Sequence, residues 1–246
     1  MPPSVRAMHA PRVEIHELRS VTGDEVYGEQ VSRARVSGER LELDIVTVFA
    51  DGGRWDEQAV MDLRDGYRAR SFRKTERRGG RVTDTLDVDF TSGAVTWTSG
   101  GERHARTFDF APDTFIGPML ALVLAGLPAR PGGSAELEVL TFRPDPSVYT
   151  VQADVVQRET FRIGAVSAPT TKVRLKADLG PLRNAVLAAL IPTHYFWFTR
   201  DGTPEFFAFE GTLAAEGPET LMVPEARVGR RDGGDDSTRV AGRVTR

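Results

Sequence analysis

Hydrophobic and polar residues alternate with a period of two along most of the chain. Leu41, Leu43, Ile45, Thr47 and Phe49 share one parity. Trp55, Ala59, Met61 and Leu63 share another, interrupted by Glu57. Val82, Leu86, Val88 and Phe90 continue the pattern with Asp84 as the exception, and Val95, Trp97, Phe108 and Phe110 follow. Alternation of this kind marks strands that bury one face. Turns at Asp51-Gly52-Gly53, Asp65-Gly66, Gly79-Gly80, Ser92-Gly93 and Gly100-Gly101 separate the runs, each with residues that tolerate positive φ. Strands divided by such turns roughly every ten residues predict an antiparallel meander. Further strands are expected near 135–142, 148–157, 160–163, 171–176, 195–199 and 205–210.

Two segments depart from the alternation. Residues 115–127 (FIGPMLALVLAGL) are apolar and follow Asp113, a residue with N-cap chemistry. Residues 181–190 (PLRNAVLAAL) begin with proline, place Leu182, Val186 and Leu190 at helical spacing, and end before Pro192. Both predict short helices packed on the sheet. The expected organisation is an N-terminal tail over 1–11, one antiparallel β domain over 12–224 and a disordered C-terminal tail over 225–246, which lacks apolar periodicity. The predicted fold class is mainly β: a single antiparallel, strongly curved or barrel-like sheet with one or two short covering helices.

Composition narrows the chemistry. The absence of cysteine excludes disulfides, thiolate catalysis and cysteine-based zinc sites. A net charge of −3 argues against a nucleic-acid binder, which carries a basic excess. No apolar stretch approaches the ~20 residues of a membrane helix. Met1–Ser20 holds no apolar run of signal-peptide length, so a cytoplasmic location is expected, or an envelope one if a leader has been removed. The four histidines, His9, His16, His104 and His194, show no metal-ligand spacing, and no nucleotide, phosphate-loop or nucleophile-elbow motif is present. No metal or cofactor is expected.

Three side-chain groups remain. The basic run from Arg64 to Arg81 reads as a solvated hairpin whose charges prevent edge-to-edge pairing, or alternatively as an anion patch. Folding the meander on paper sets Glu57 near Arg73, Asp84 near Lys74 and Arg73, and His104 at the same end of the sheet. Glu57, Asp84 and His104 are thus candidates for a carboxylate and histidine pair that moves protons, against the plainer reading that strand ends are wet. Aromatic residues give the ligand-binding candidates. Trp55 and Trp97 lie on the apolar face of the meander, and Tyr195 and Trp197 share one face of 194–198, with Phe196 and Phe198 on the other. A strand apolar on both faces is covered on both.

Four pieces carry a family resemblance: VTDTLDVDFTSGAVTW (82–97), DTFIGPMLALVLAGL (113–127), QRETFRIGAVSAPTTK (157–172) and FWFTRDGTPEFFAF (196–209). Together they resemble a bacterial family known as domain of unknown function 3108. The resemblance implies a curved antiparallel sheet of the kind that holds lipids or acyl chains, and an envelope association. It supplies no catalytic residues. The expected function is binding of an apolar or amphipathic, lipid-like molecule in the concave face of the sheet. The alternatives are a cofactor-free enzyme using Glu57, Asp84 and His104 on an apolar substrate, and a structural or partner-binding module.

Overall fold

A computed structural model describes residues 12–22, 24–64, 66–129, 133–142, 145–177, 193–213 and 217–225. The first half is a meander of β1 (Arg12–Ser20), β2 (Val26–Ser37), β3 (Arg40–Phe49), β4 (Arg54–Asp62), β5 (Arg68–Arg78), β6 (Arg81–Asp89), β7 (Ala94–Ser99) and β8 (Glu102–Thr107). A two-residue strand, β9 (Thr114–Phe115), and a short helix, α1 (Met119–Leu124), follow. The second half comprises β10 (Ser134–Thr141), β11 (Ser147–Ile163), β12 (Val166–Ala177), β13 (His194–Thr199), β14 (Phe206–Thr212) and β15 (Glu219–Pro224).

Among the described residues, fifteen strands form one sheet, ordered β8 to β1 and then β15 to β9. Every pairing is antiparallel except β9 with β10, which is parallel. The first and last strands meet in the middle of the sheet, with Leu18 opposite Met222. The mid-chain strands β8 and β9 are therefore the edges, and only residues 108–113 connect them. A flat sheet of this width would hold its edges roughly 65 Å apart. Six residues reach ~20 Å, so the sheet has to curl. β9 comes to lie against β5, and β8 and β9 do not pair with each other: the sheet is strongly curved but not closed. Gly93 fixes the start of the bridge. It holds φ +74°, and a Cβ there would stand 2.0 Å from the carbonyl oxygen of Phe108, whose N–H donates to the Gly93 carbonyl at 2.9 Å.

The concave face carries the main core. Leu41, Met61, Leu86 and Val95 are buried there together with Met119 and Leu124 of α1. A second, smaller cluster on the opposite face of β11 to β15 buries Phe161, Trp197, Leu221 and Val223.

Several expectations change. The helix predicted over 115–127 is shorter: Thr114 and Phe115 add a strand to β10, and α1 begins at Met119 after Pro118 with no side-chain cap. The helix predicted over 181–190 and most of both tails lie outside the described residues. Residues 148–157 and 160–163 form one strand, with a bulge between Val155 and Gln157 in place of a turn. Phe108 and Phe110 belong to the bridge and stack on each other. The basic run is not an exposed edge: β5 is paired on both sides by β4 and β6. Its outward arginines face carboxylates, Arg70 with Asp62 and Arg73 with Asp87.

Candidate functional site

Strand register decides which side chains line the curl, because successive residues point to opposite faces. One inward row runs His16, Gln30, Thr47, Trp55, Glu76, Asp84 across β1 to β6. The adjacent row runs Glu14, Ser32, Ile45, Glu57, Lys74, Leu86, Trp97, His104. The next is almost wholly apolar after Arg12: Ala34, Leu43, Ala59, Phe72, Val88. The concave face thus carries a polar belt two residues deep, bordered by core.

Belt and core line a half-open cavity of about 650 Å³. Strands of both halves and α1 contribute to its wall. Its apolar part includes Leu43, Phe72, Leu120, Val151, Phe196 and Met222, and its polar part includes Arg12, Glu14, His16, Glu57 and Lys74.

Two charge clusters stand in the belt. In the first, Arg12 pairs with Glu14 and with Glu205, each at 2.7 Å. Burial pushes the Glu14 carboxyl above its ordinary range; Arg12 opposes this and Glu205 adds to it. His16, one inward position along β1, is 3% exposed. Burial, with Arg12 adding, holds its imidazole down at about 4, so it is neutral at pH 7. Its ring lies 5.2 Å from that of Phe206, and its Nδ1 has no hydrogen-bond partner. In the second cluster, the Lys74 ammonium lies 3.1 Å from Glu76 and 3.9 Å from Glu57. It also sits 3.5 Å from the centre of the Trp55 ring, a cation–π contact. Burial raises the Glu57 carboxyl; Lys74 opposes the shift and Glu76 adds to it.

The residues anticipated from sequence divide. Glu57 and Trp55 line the cavity. Asp84 lies in the neighbouring row, opposite Glu76 and not near Arg73. Glu57 faces Lys74 in place of Arg73, a slip of one residue that turns Arg73 to the outer face. His104 shares the row of Glu57 but sits four strand steps away, roughly 19 Å along the sheet. It is stacked on Trp97 at 5.2 Å. The register therefore does not gather Glu57, Asp84 and His104 into one contacting group. Trp97 is on the concave side, buried in the core beside the cavity. Tyr195 and Trp197 are on the other face, where Lys172 lies over both rings; their neighbours His194 and Phe196 line the cavity instead. Sequence reasoning passed over Arg12, Glu14 and His16. The available signal was their shared parity within RVEIHELRS.

Among the described residues, no group of three His, Asp or Glu side chains is placed to hold a metal. No helix among them is long and apolar enough to cross a membrane.

No family model and no curated protein matches the chain. A solved structure does: the β-barrel-like protein of domain of unknown function DUF1849 from Brucella abortus. It is 12% identical, with a TM-score of 0.51, over 87% of this chain and 94% of that one. Likeness at this identity concerns the fold alone. The protein is of the β-barrel-like class, an open curled sheet around a cavity. The curved sheet that the sequence resemblance implied is present, but the solved likeness is to a DUF1849 protein and does not support domain of unknown function 3108 itself.

Proposed function

We propose that the protein binds an apolar or amphipathic, lipid-like small molecule inside the curl. The observation that carries this is the cavity of about 650 Å³ with its largely hydrophobic lining. Small-molecule sites have volumes of roughly 300–1,000 Å³, with apolar walls and a few convergent polar groups. The reading rests on this cavity and not on family resemblance, and it suits a cytoplasmic or an envelope location equally. Each buried methylene contributes about 0.8 kcal/mol, roughly fourfold in affinity. Titration with straight-chain alcohols of increasing length should therefore give a stepwise rise in affinity until the cavity is full. Trp55 in the wall reports occupancy by fluorescence, and native mass spectrometry reports stoichiometry. Affinity independent of chain length, or no binding at any length, would reject the proposal.

A second reading is supported by Glu57, a buried carboxyl in the cavity wall that burial biases towards its protonated form. Such a group is suited to general acid or base work on the same ligand. Under that reading Glu57→Gln retains ligand binding and loses turnover of the bound molecule. Turnover unchanged in the variant would exclude Glu57 as the acid or base.

A further inference from the structure

Both cations of the belt are already engaged. Arg12 is held between Glu14 and Glu205, and Lys74 lies against Glu76, Glu57 and the Trp55 ring. An anionic headgroup entering the cavity would find no uncommitted cation among these groups, and would have to displace an internal carboxylate to gain one. The end beside the exposed β13–β14 turn presents the opposite opportunity. Two carboxylates there share one guanidinium, which leaves a formal charge of −1 in a partly desolvated wall. Next to them stands His16, 3% exposed, with its Nδ1 unpartnered. A buried nitrogen without a partner carries a desolvation cost that a ligand donor would remove. Gln30 and Ser32, also in the wall, follow His16 and Glu14 across the β1–β2 ladder, so this stretch is polar without adding positive charge.

Resting on the binding reading above, we propose that the ligand is an amphiphile with a protonated amine headgroup. Its ammonium sits at Glu14, Glu205 and His16, and its chain lies along the apolar wall towards α1. The ammonium supplies what this end lacks: one positive charge for the carboxylate pair, and N–H donors for the carboxylates and for Nδ1 of His16 in the tautomer that carries its proton on Nε2. A charge-assisted hydrogen bond is roughly twice as strong as a neutral one, so the headgroup discriminates where the chain cannot.

The test compares three probes of one chain length at pH 7.5: dodecylammonium, dodecanol and dodecanoate. Binding is followed by Trp55 fluorescence and by calorimetry on the full chain. The amine should bind roughly tenfold or more tighter than the alcohol, with dodecanoate weakest. Glu14→Gln should erase most of the amine's advantage over the alcohol, with a thermal melting transition showing that the variant is folded. Glu205→Gln, on an exposed turn, provides a second variant with the same expectation. Equal affinity for all three probes, or dodecanoate tightest, would overturn the headgroup assignment and leave the cavity reading intact. Binding of none would overturn both.

Discussion

Replacing Trp197 by alanine is expected to destabilise the protein by ~3–5 kcal/mol, the range for removing a large buried aromatic side chain. Trp197 is 3% exposed. It meets Phe161 edge-on at 5.2 Å, and its indole N–H donates to Glu159 at 2.7 Å. Its removal leaves a void in the small outer cluster and an unpaired carboxylate beside it. Urea denaturation measures the loss. Because the cluster lies on the face away from the cavity, ligand titrations read through Trp55 should be unchanged. A variant as stable as the parent, yet unable to bind ligand, would place Trp197 in the binding site.

The second large effect concerns pH. His16 titrates at about 4 in the folded chain and near 6.5 when unfolded. A histidine with a lowered folded pKa takes up its proton preferentially on unfolding. Its contribution is therefore fully present above about pH 6.5 and is lost as pH falls towards 4. The loss amounts to about 2 kcal/mol by pH 5 and about 3 kcal/mol at the lower limit. Glu14 and Glu57 act in the opposite direction: their raised values favour the folded state as pH falls towards the unfolded carboxyl range. The parent's own pH curve mixes these signs. The difference between the parent and His16→Phe isolates the histidine, since phenylalanine does not titrate and finds Phe206 as a ring neighbour. That difference should be flat from pH 7 to 8 and should shift by about 2 kcal/mol in favour of the variant between pH 7 and 5. A difference independent of pH across this range would show that His16 is not held neutral by burial.

Strands β3, β4, β6 and β7 were legible in the sequence because their inward positions are mostly apolar and their neighbours polar, and β13 because it is a short aromatic run. Leu41, Leu43 and Ile45 are buried as that alternation requires. Turn glycines placed the hairpins correctly: Gly52, Gly79, Gly93 and Gly100 all adopt positive φ. Among the strands that the sequence did not announce, which also include β2, β8, β9 and β15, β1 and β5 share one physical reason. Their inward faces carry Arg12, Glu14 and His16, and Lys74 and Glu76, so no period-two apolar signal exists to be read. Lys74 and Glu76 are 9% and 7% exposed although they stand in a run of arginines that resembles a solvated surface. The belt that makes the candidate site thus also conceals the strands that build it. Register was the other limit. A single-residue slip exchanged Arg73 for Lys74 opposite Glu57. The faces of β13 were a second ambiguity: HYFWFT is apolar on both, and only its register with β12, Phe196 opposite the buried Val173, turns Phe196 to the cavity and Trp197 away from it.

The pairing of β1 with β15 has a consequence for how the chain assembles. Each half, β1 to β8 and β10 to β15, is a run of hairpins between sequence neighbours, whose loops close at little entropic cost. The ladder between the halves joins residues as distant as His16 and Pro224. It is the closure of longest sequence range in the sheet, and so the costliest in chain entropy. The cavity wall draws on both sides of that seam, with His16 from one and Met222 and Phe196 from the other. Neither half therefore carries the whole cavity wall, and the cavity exists only where the two meanders join.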